Sequence, residues 1–127
     1  MNMQRLTAKV FIVDDDEAVR DSLKMLLESY GMDVEEYAST REFAHAYRPG
    51  SRQCLILDQH LPGGTGLDFL GSSLGAALDL PVILVTGRGD GSIRDKAYEM
   101  GVEAYLEKPV ADDVLLAAIA HAVGNRF

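Results

Sequence analysis

The stretch Cys54-Leu55-Ile56-Leu57-Asp58-Gln59-His60-Leu61-Pro62-Gly63-Gly64-Thr65-Gly66 sets the strongest limit on what this chain can fold into. Four apolar residues lead without a break into one carboxylate, and the chain then turns on Pro and Gly. A short continuous apolar run reads as a strand buried on both faces. Asp58 stands where that strand ends and a loop rich in turn residues begins. Open parallel sheets bind ligands outside the carboxyl ends of their strands. An acid therefore falls on the edge where such folds do chemistry. On this stretch alone, an Asp that only caps a turn is an equally ordinary reading.

The rest of the chain repeats the pattern. Ala8 to Val13 reads as a strand and stops at Asp14-Asp15-Asp16. From Glu17 to Tyr30 the residues Val19, Leu23, Leu26, Leu27 and Tyr30 share one helical face, and Gly31 closes the helix. Asp33 to Tyr37 reads as a short strand. Ser39 or Thr40 caps a second helix carrying Phe43, Ala44 and Tyr47, ended by Pro49-Gly50. After the central strand, Gly66 to Leu78 reads as one helix with Leu67, Leu70, Leu74 and Leu78 aligned. Pro81 to Val85 is a fourth strand ending at Thr86, and Gly87 to Gly91 a flexible loop. A fourth helix from Ser92 to Met100, a fifth strand at Ala104 to Leu106 and a last helix from Ala111 to Val123 complete the chain. Five alternations of strand and helix predict an α/β fold: a doubly wound parallel sheet with helices on both faces and right-handed crossovers.

At 127 residues the chain is expected to be a single domain over 1–127, with its core over about 8–123. Hydrophobic residues make up 47%, which favours a packed globule over disorder. A net charge of −8 argues against direct binding of nucleic acid by this domain, since a nucleic-acid backbone selects a basic face. Cys54 is the only cysteine, which excludes an internal disulfide and fits a reducing compartment; it reads as a small buried hydrophobe. No apolar run approaches a membrane span, and Met-Asn-Met-Gln-Arg-Leu is too short and polar for a signal peptide, so a cytoplasmic location with no membrane contact is expected.

The strand ends carry a set of residues worth weighing together. Asp14 and Asp15 follow the first strand, Asp58 the third, Thr86 the fourth and Lys108 the fifth. In a doubly wound sheet these converge on one edge. Two like charges roughly 4 Å apart repel by about 4 kcal/mol at an effective dielectric near 20. A hard divalent cation relieves that repulsion, and oxygen ligands with open positions suit Mg²⁺. Such a cation and the Lys108 ammonium would attract a phosphoryl group. Asp58 would attack it as a carboxylate nucleophile, and Thr86 would donate to one of its oxygens. Singly, each residue has a plain explanation: acids at a helix start, a strand threonine, a solvated lysine. The combination carries the reading. Cofactor-binding versions of the fold are disfavoured, because Gly63-Gly64-Thr65-Gly66 lacks the Lys of a P-loop and no G-x-G-x-x-G follows the first strand.

From Lys9 to Val123 the chain resembles a response-regulator receiver domain of two-component signalling. The resemblance rests on the Asp14-Asp15 pair, on Asp58 with Pro62 and Gly66 behind it, on Thr86-Gly87 and on Lys108-Pro109. It implies a flavodoxin-like five-stranded parallel sheet of order 2-1-3-4-5 with five helices. It implies that Asp58 is the phosphoacceptor and that Asp14, Asp15, Asp58 and the backbone carbonyl of His60 hold Mg²⁺. Thr86 and Lys108 would bind phosphoryl oxygens, Thr86 and Tyr105 would act as the switch pair, and the Lys108-Pro109 peptide would be cis. The implied partner is a sensor histidine kinase or a phosphotransfer protein, with a phosphorylation-dependent homodimer as a further expectation. The responding surface would be the fourth helix, fifth strand and fifth helix; Ile93, Ala97 and Tyr105 read as contact residues or equally as core. Val85-Thr86-Gly87-Arg88-Gly89-Asp90 further resembles receivers joined to LuxR-type helix-turn-helix effectors.

Under this reading the chain is not an enzyme beyond accepting its own phosphoryl group and losing it. His60 and Arg88 stand where, in the family, side chains tune phosphoryl lifetime; His60 reads either as a base for hydrolysis or as a passive exposed ring. His45 and His121 read as surface residues. Glycines 63, 64, 66, 87 and 89 are expected to give the loops hinge freedom. Two alternatives stay open: a Mg²⁺-dependent phosphohydrolase with an aspartyl nucleophile, and a receiver-like scaffold that is never phosphorylated. Haloacid-dehalogenase-type phosphatases carry a second Asp two residues after the first, where this chain has His60. Ending at Phe127, just past the last predicted helix, the chain reads as a stand-alone receiver or as part of a longer regulator.

Overall fold

The computed structural model describes residues 7–87 and 91–124. In chain order the elements are β1 (Lys9–Val13), α1 (Glu17–Ser29), β2 (Asp33–Tyr37), α2 (Thr40–Ala46), β3 (Gln53–Asp58), β4 (His60–Leu61), β5 (Gly64–Thr65), α3 (Gly66–Gly71), α4 (Ser73–Ala76), β6 (Val82–Thr86), α5 (Gly91–Glu99), β7 (Ala104–Glu107) and α6 (Asp112–Ala122). Five strands form one parallel sheet of order β2-β1-β3-β6-β7. This is the expected flavodoxin-like order, with the two short strands β4 and β5 set aside. Among the described residues, no helix is long and apolar enough to cross a membrane.

Alternation along the strands sorts the core into two layers. Val10, Ile12, Cys54, Ile56, Ile83 and Val85 point to one face and pack with Leu27 of α1 and Leu115 and Ile119 of α6. Phe11, Val13, Leu55, Leu57, Val82 and Leu84 point to the other and pack with Phe43 of α2, Phe69 of α3 and Ala97 of α5. All six residues of β3 are buried, as a central strand covered on both faces requires. Cys54 lies within this core, and burial pushes its thiol up to about 12, so it is an inert hydrophobe. At the sheet edge, Lys9 pairs with Glu35 and Asp33 on β2 at 2.6 and 3.5 Å.

The single helix expected over residues 66–78 is two short ones. Ser72 is extended at the joint and caps α4 by accepting a hydrogen bond from the Gly75 N–H. A Cβ at Gly75 would lie 1.9 Å from the Phe69 carbonyl oxygen, so the fold-back of α4 onto α3 needs glycine there. The break leaves Leu74 61% exposed, off the shared apolar face that the leucine spacing predicts. The hairpin β4–β5 was not foreseen; it pairs His60 with Thr65 and Leu61 with Gly64.

Candidate functional site

Strand register carries the distant acids and the lysine to one edge. Val13 of β1 pairs with Leu57 of β3, so Asp14 and Asp58 leave the sheet side by side. Asp58 pairs with Val85, which puts Thr86 one step beyond it. Thr86 in turn pairs with Glu107, and the next residue is Lys108, whose N–H donates to the Thr86 carbonyl at 2.8 Å. The Lys108-Pro109 peptide is cis, as the resemblance implies.

Carboxylate oxygens of Asp14, Asp15 and Asp58 lie within 4.8 Å of one another. Asp14 and Asp58 are buried and Asp15 is exposed. The Lys108 ammonium lies 3.2 Å from Asp14 Oδ2 and 3.6 Å from Asp58 Oδ1, bridging the two buried acids. Burial, and then the neighbouring Asp14 charge, raises the Asp58 pKa; Lys108 and the His60 N–H, which donates to Asp58 Oδ1 at 3.3 Å, offset this in part. Burial also opposes the charge on Lys108, but Asp14 and Asp58 outweigh it, and the ammonium is held more tightly than usual.

The raised Asp58 pKa has a consequence for stability. The folded chain binds that proton more tightly than the unfolded chain, so stability falls as the pH rises from the ordinary 3.8 through the higher folded value, and the full cost is present above it. Asp58→Asn is therefore expected to raise the melting temperature by a few degrees at neutral pH without divalent cation. Calorimetry of both forms checks this, and the gain should shrink as the pH falls and the wild-type carboxyl takes up its proton.

Several positioning residues were not singled out from the sequence. Arg20 on α1 donates to the Asp14 carbonyl at 2.6 Å and pairs with Glu36 on β2 at 3.0 Å, fixing the backbone at Asp14. Gln59 is buried; its N–H donates to the Val85 carbonyl at 2.8 Å, and its side-chain oxygen accepts from the Leu67 N–H at 3.0 Å. An arginine at a helix start, against the dipole, is the one signal that could have pointed to Arg20. Gly66 proves to be a packing residue rather than a hinge. A Cβ there would lie 2.8 Å from the Asp58 carbonyl oxygen and 2.9 Å from Leu84 Cδ1.

His60 is exposed, and its Nε2 lies 2.9 Å from Oγ1 of the fully buried Thr86. Tyr105 and Ile93 are half-buried and Ala97 is fully buried, so Ala97 belongs to the core rather than to a contact surface. His45 is exposed, and His121, 69% exposed, lies 3.1 Å from Glu103. Arg88, Gly89 and Asp90 lie outside the described residues, and with them the second side-chain position tied to phosphoryl lifetime.

Comparison with known proteins agrees with this geometry. The transcriptional regulatory protein FixJ of Azorhizobium caulinodans is 37% identical over 116 residues, covering 91% of this chain and 55% of that protein. Nodulation protein W of Bradyrhizobium diazoefficiens is 37% identical over 115 residues, covering 91% of this chain and 51% of that protein. The chain thus spans about half the length of the curated relatives it matches. Among solved structures, full-length FixJ from B. japonicum superposes with a TM-score of 0.81 at 34% identity, covering 93% of this chain and 59% of that one. A crystal structure of FixJ-N gives a TM-score of 0.79 at 30% identity, covering 96% of this chain and 98% of that one. The FixJ-type relatives lie in the direction to which the loop after the fourth predicted strand pointed. Residues 10–120 match the family model of the response regulator receiver domain, and the chain belongs to that family.

Proposed function

We propose that this domain accepts a phosphoryl group on Asp58, with Mg²⁺ bound at the acid cluster, and relays the event to a partner through its α5–β7–α6 surface. The observation that carries this is the pocket itself: a buried carboxylate at a strand end, two further acids within reach and a lysine bridging two of the three. Three acids with closely spaced oxygens suit a hard divalent cation, which Asp14, Asp15, Asp58 and the His60 carbonyl would hold. The bound ion would neutralise phosphoryl oxygens during transfer.

Asp58 supplies the attacking oxygen. Its bond to phosphorus forms as the bond from phosphorus to the donor breaks, and the electron pair leaves with the donor group: an imidazole nitrogen of phosphohistidine, or acetate from acetyl phosphate. Lys108 faces the same oxygens and stays protonated throughout, and Thr86 donates to another of them. Rearrangement at Thr86 is then read at Tyr105, biasing a two-state surface. The donor is a histidine kinase or phosphotransfer protein. The output is control of a partner or of an effector region, with a homodimer as one route.

Incubation with acetyl phosphate and Mg²⁺, followed by intact mass, tests the reading. One phosphoryl group per chain is expected, and none after chelation by EDTA. Labelling should also slow as the pH falls far enough to protonate Asp58, because only the ionised carboxylate attacks. Catalytic turnover of phosphate esters with no label retained would favour the phosphohydrolase alternative instead.

A further inference from the structure

His60 reaches across from β3's exit to the end of β6, and nothing in the proposed phosphotransfer requires its ring. Its backbone is firmly placed. The preceding Gln59 N–H is tied to Val85 on β6, and His60 itself pairs with Thr65. Thr65 is in turn locked by a reciprocal capping box with Asp68 at the start of α3, each bond 3.0 Å. The imidazole is thus held by a braced hairpin, and Nε2 sits 2.9 Å from the Thr86 hydroxyl oxygen.

We propose that His60 is a positioning residue for the switch: its imidazole latches the Thr86 hydroxyl in the unphosphorylated state. The inference rests on the reading of Asp58 as phosphoacceptor and of Thr86 as the group drawn toward the phosphoryl. Thr86 has a single hydroxyl proton. When Nε2 is bare, the hydroxyl donates that proton to the ring, and a phosphoryl oxygen asks for the same one. When Nε2 carries hydrogen, the ring donates to the hydroxyl oxygen and restrains it directly. In both tautomers Thr86 leaves its resting place only by giving up this bond. Movement toward the phosphoryl group is then a competition between two partners, and His60 sets the resting bias.

The test uses the whole chain, with beryllofluoride and Mg²⁺ as the phosphoryl mimic and amide NMR as the readout. His60→Ala removes the ring and keeps the backbone carbonyl. Without beryllofluoride, the variant's amide signals at Gly87 and Tyr105 should lie displaced toward the positions they take in the loaded wild type. A displacement matching roughly a threefold to tenfold change in the switch equilibrium is expected, the size of one net hydrogen bond. His60→Gln, which retains a polar group, should restore part of the resting position. In a Thr86→Val background, His60→Ala should add no further displacement, because the latch has no second half.

Unchanged resting signals in His60→Ala overturn the latch, as does an equal displacement with and without the Thr86 hydroxyl. Failure of the phosphoacceptor reading looks different: the wild type itself would then show no response to beryllofluoride.

Discussion

Asp58→Asn is expected to abolish labelling by acetyl phosphate while leaving the fold intact. The substitution keeps the shape of the side chain and replaces a nucleophilic carboxylate oxygen by an amide, which does not attack phosphorus under these conditions. Neither neighbouring acid is placed to take over. Asp14 is held by Lys108 at 3.2 Å and accepts the Asp16 N–H at 2.9 Å, and Asp15 is exposed at the rim. Intact mass under conditions that fully label the wild type should show the variant at its unmodified value. A variant labelled to the same extent would place the acceptor elsewhere. The same substitution is expected to raise thermal stability, so loss of label cannot be put down to unfolding.

The second large effect concerns the scaffold. Phe43 is fully buried on α2 and packs edge-on against Phe11 of β1 with ring centroids 5.3 Å apart. It also meets Tyr37, Tyr47 and Phe69 at 5.9, 5.5 and 6.4 Å. One ring thus joins α2, two strands and α3. Truncating such a residue removes its transfer free energy and leaves a cavity, at a cost of about 3–5 kcal/mol. Single domains have only about 5–15 kcal/mol in total. Phe43→Ala should therefore lower the urea midpoint sharply with the slope unchanged. A shift worth less than about 1 kcal/mol would mean that the aromatic cluster does not carry this face of the core.

Both effects were legible in the sequence because their causes are local or periodic. The run into Asp58 and the helical spacing of Phe43 are short-range patterns, and doubly wound topology converts strand ends into one edge. The register pairs Val13 with Leu57 and Thr86 with Glu107, and this gathers Asp14, Asp58, Thr86 and Lys108 as the motif spacing implied. What stayed hidden depends on contacts between segments. Leucine spacing continued through residues 66–78, yet Ser72 and Gly75 turn the chain, a tertiary choice that periodicity does not report. The β4–β5 hairpin has only two residues in each strand, too few to show alternation. Gly66 read as a flexible residue and is instead a place where helix and strand meet too closely for a side chain. Arg20 and the His60–Thr86 contact involve partners 6 and 26 residues away whose approach only the folded sheet defines.

The most direct check on the central claim is to find which atom holds the phosphoryl group. Wild-type protein labelled with acetyl phosphate and Mg²⁺ is reduced with borohydride, which converts an aspartyl phosphate to homoserine, and is then digested and sequenced by mass spectrometry. Homoserine at position 58 and at no other acid is the expected result. Label recovered on a histidine, a hydroxyl or a different carboxylate would contradict it.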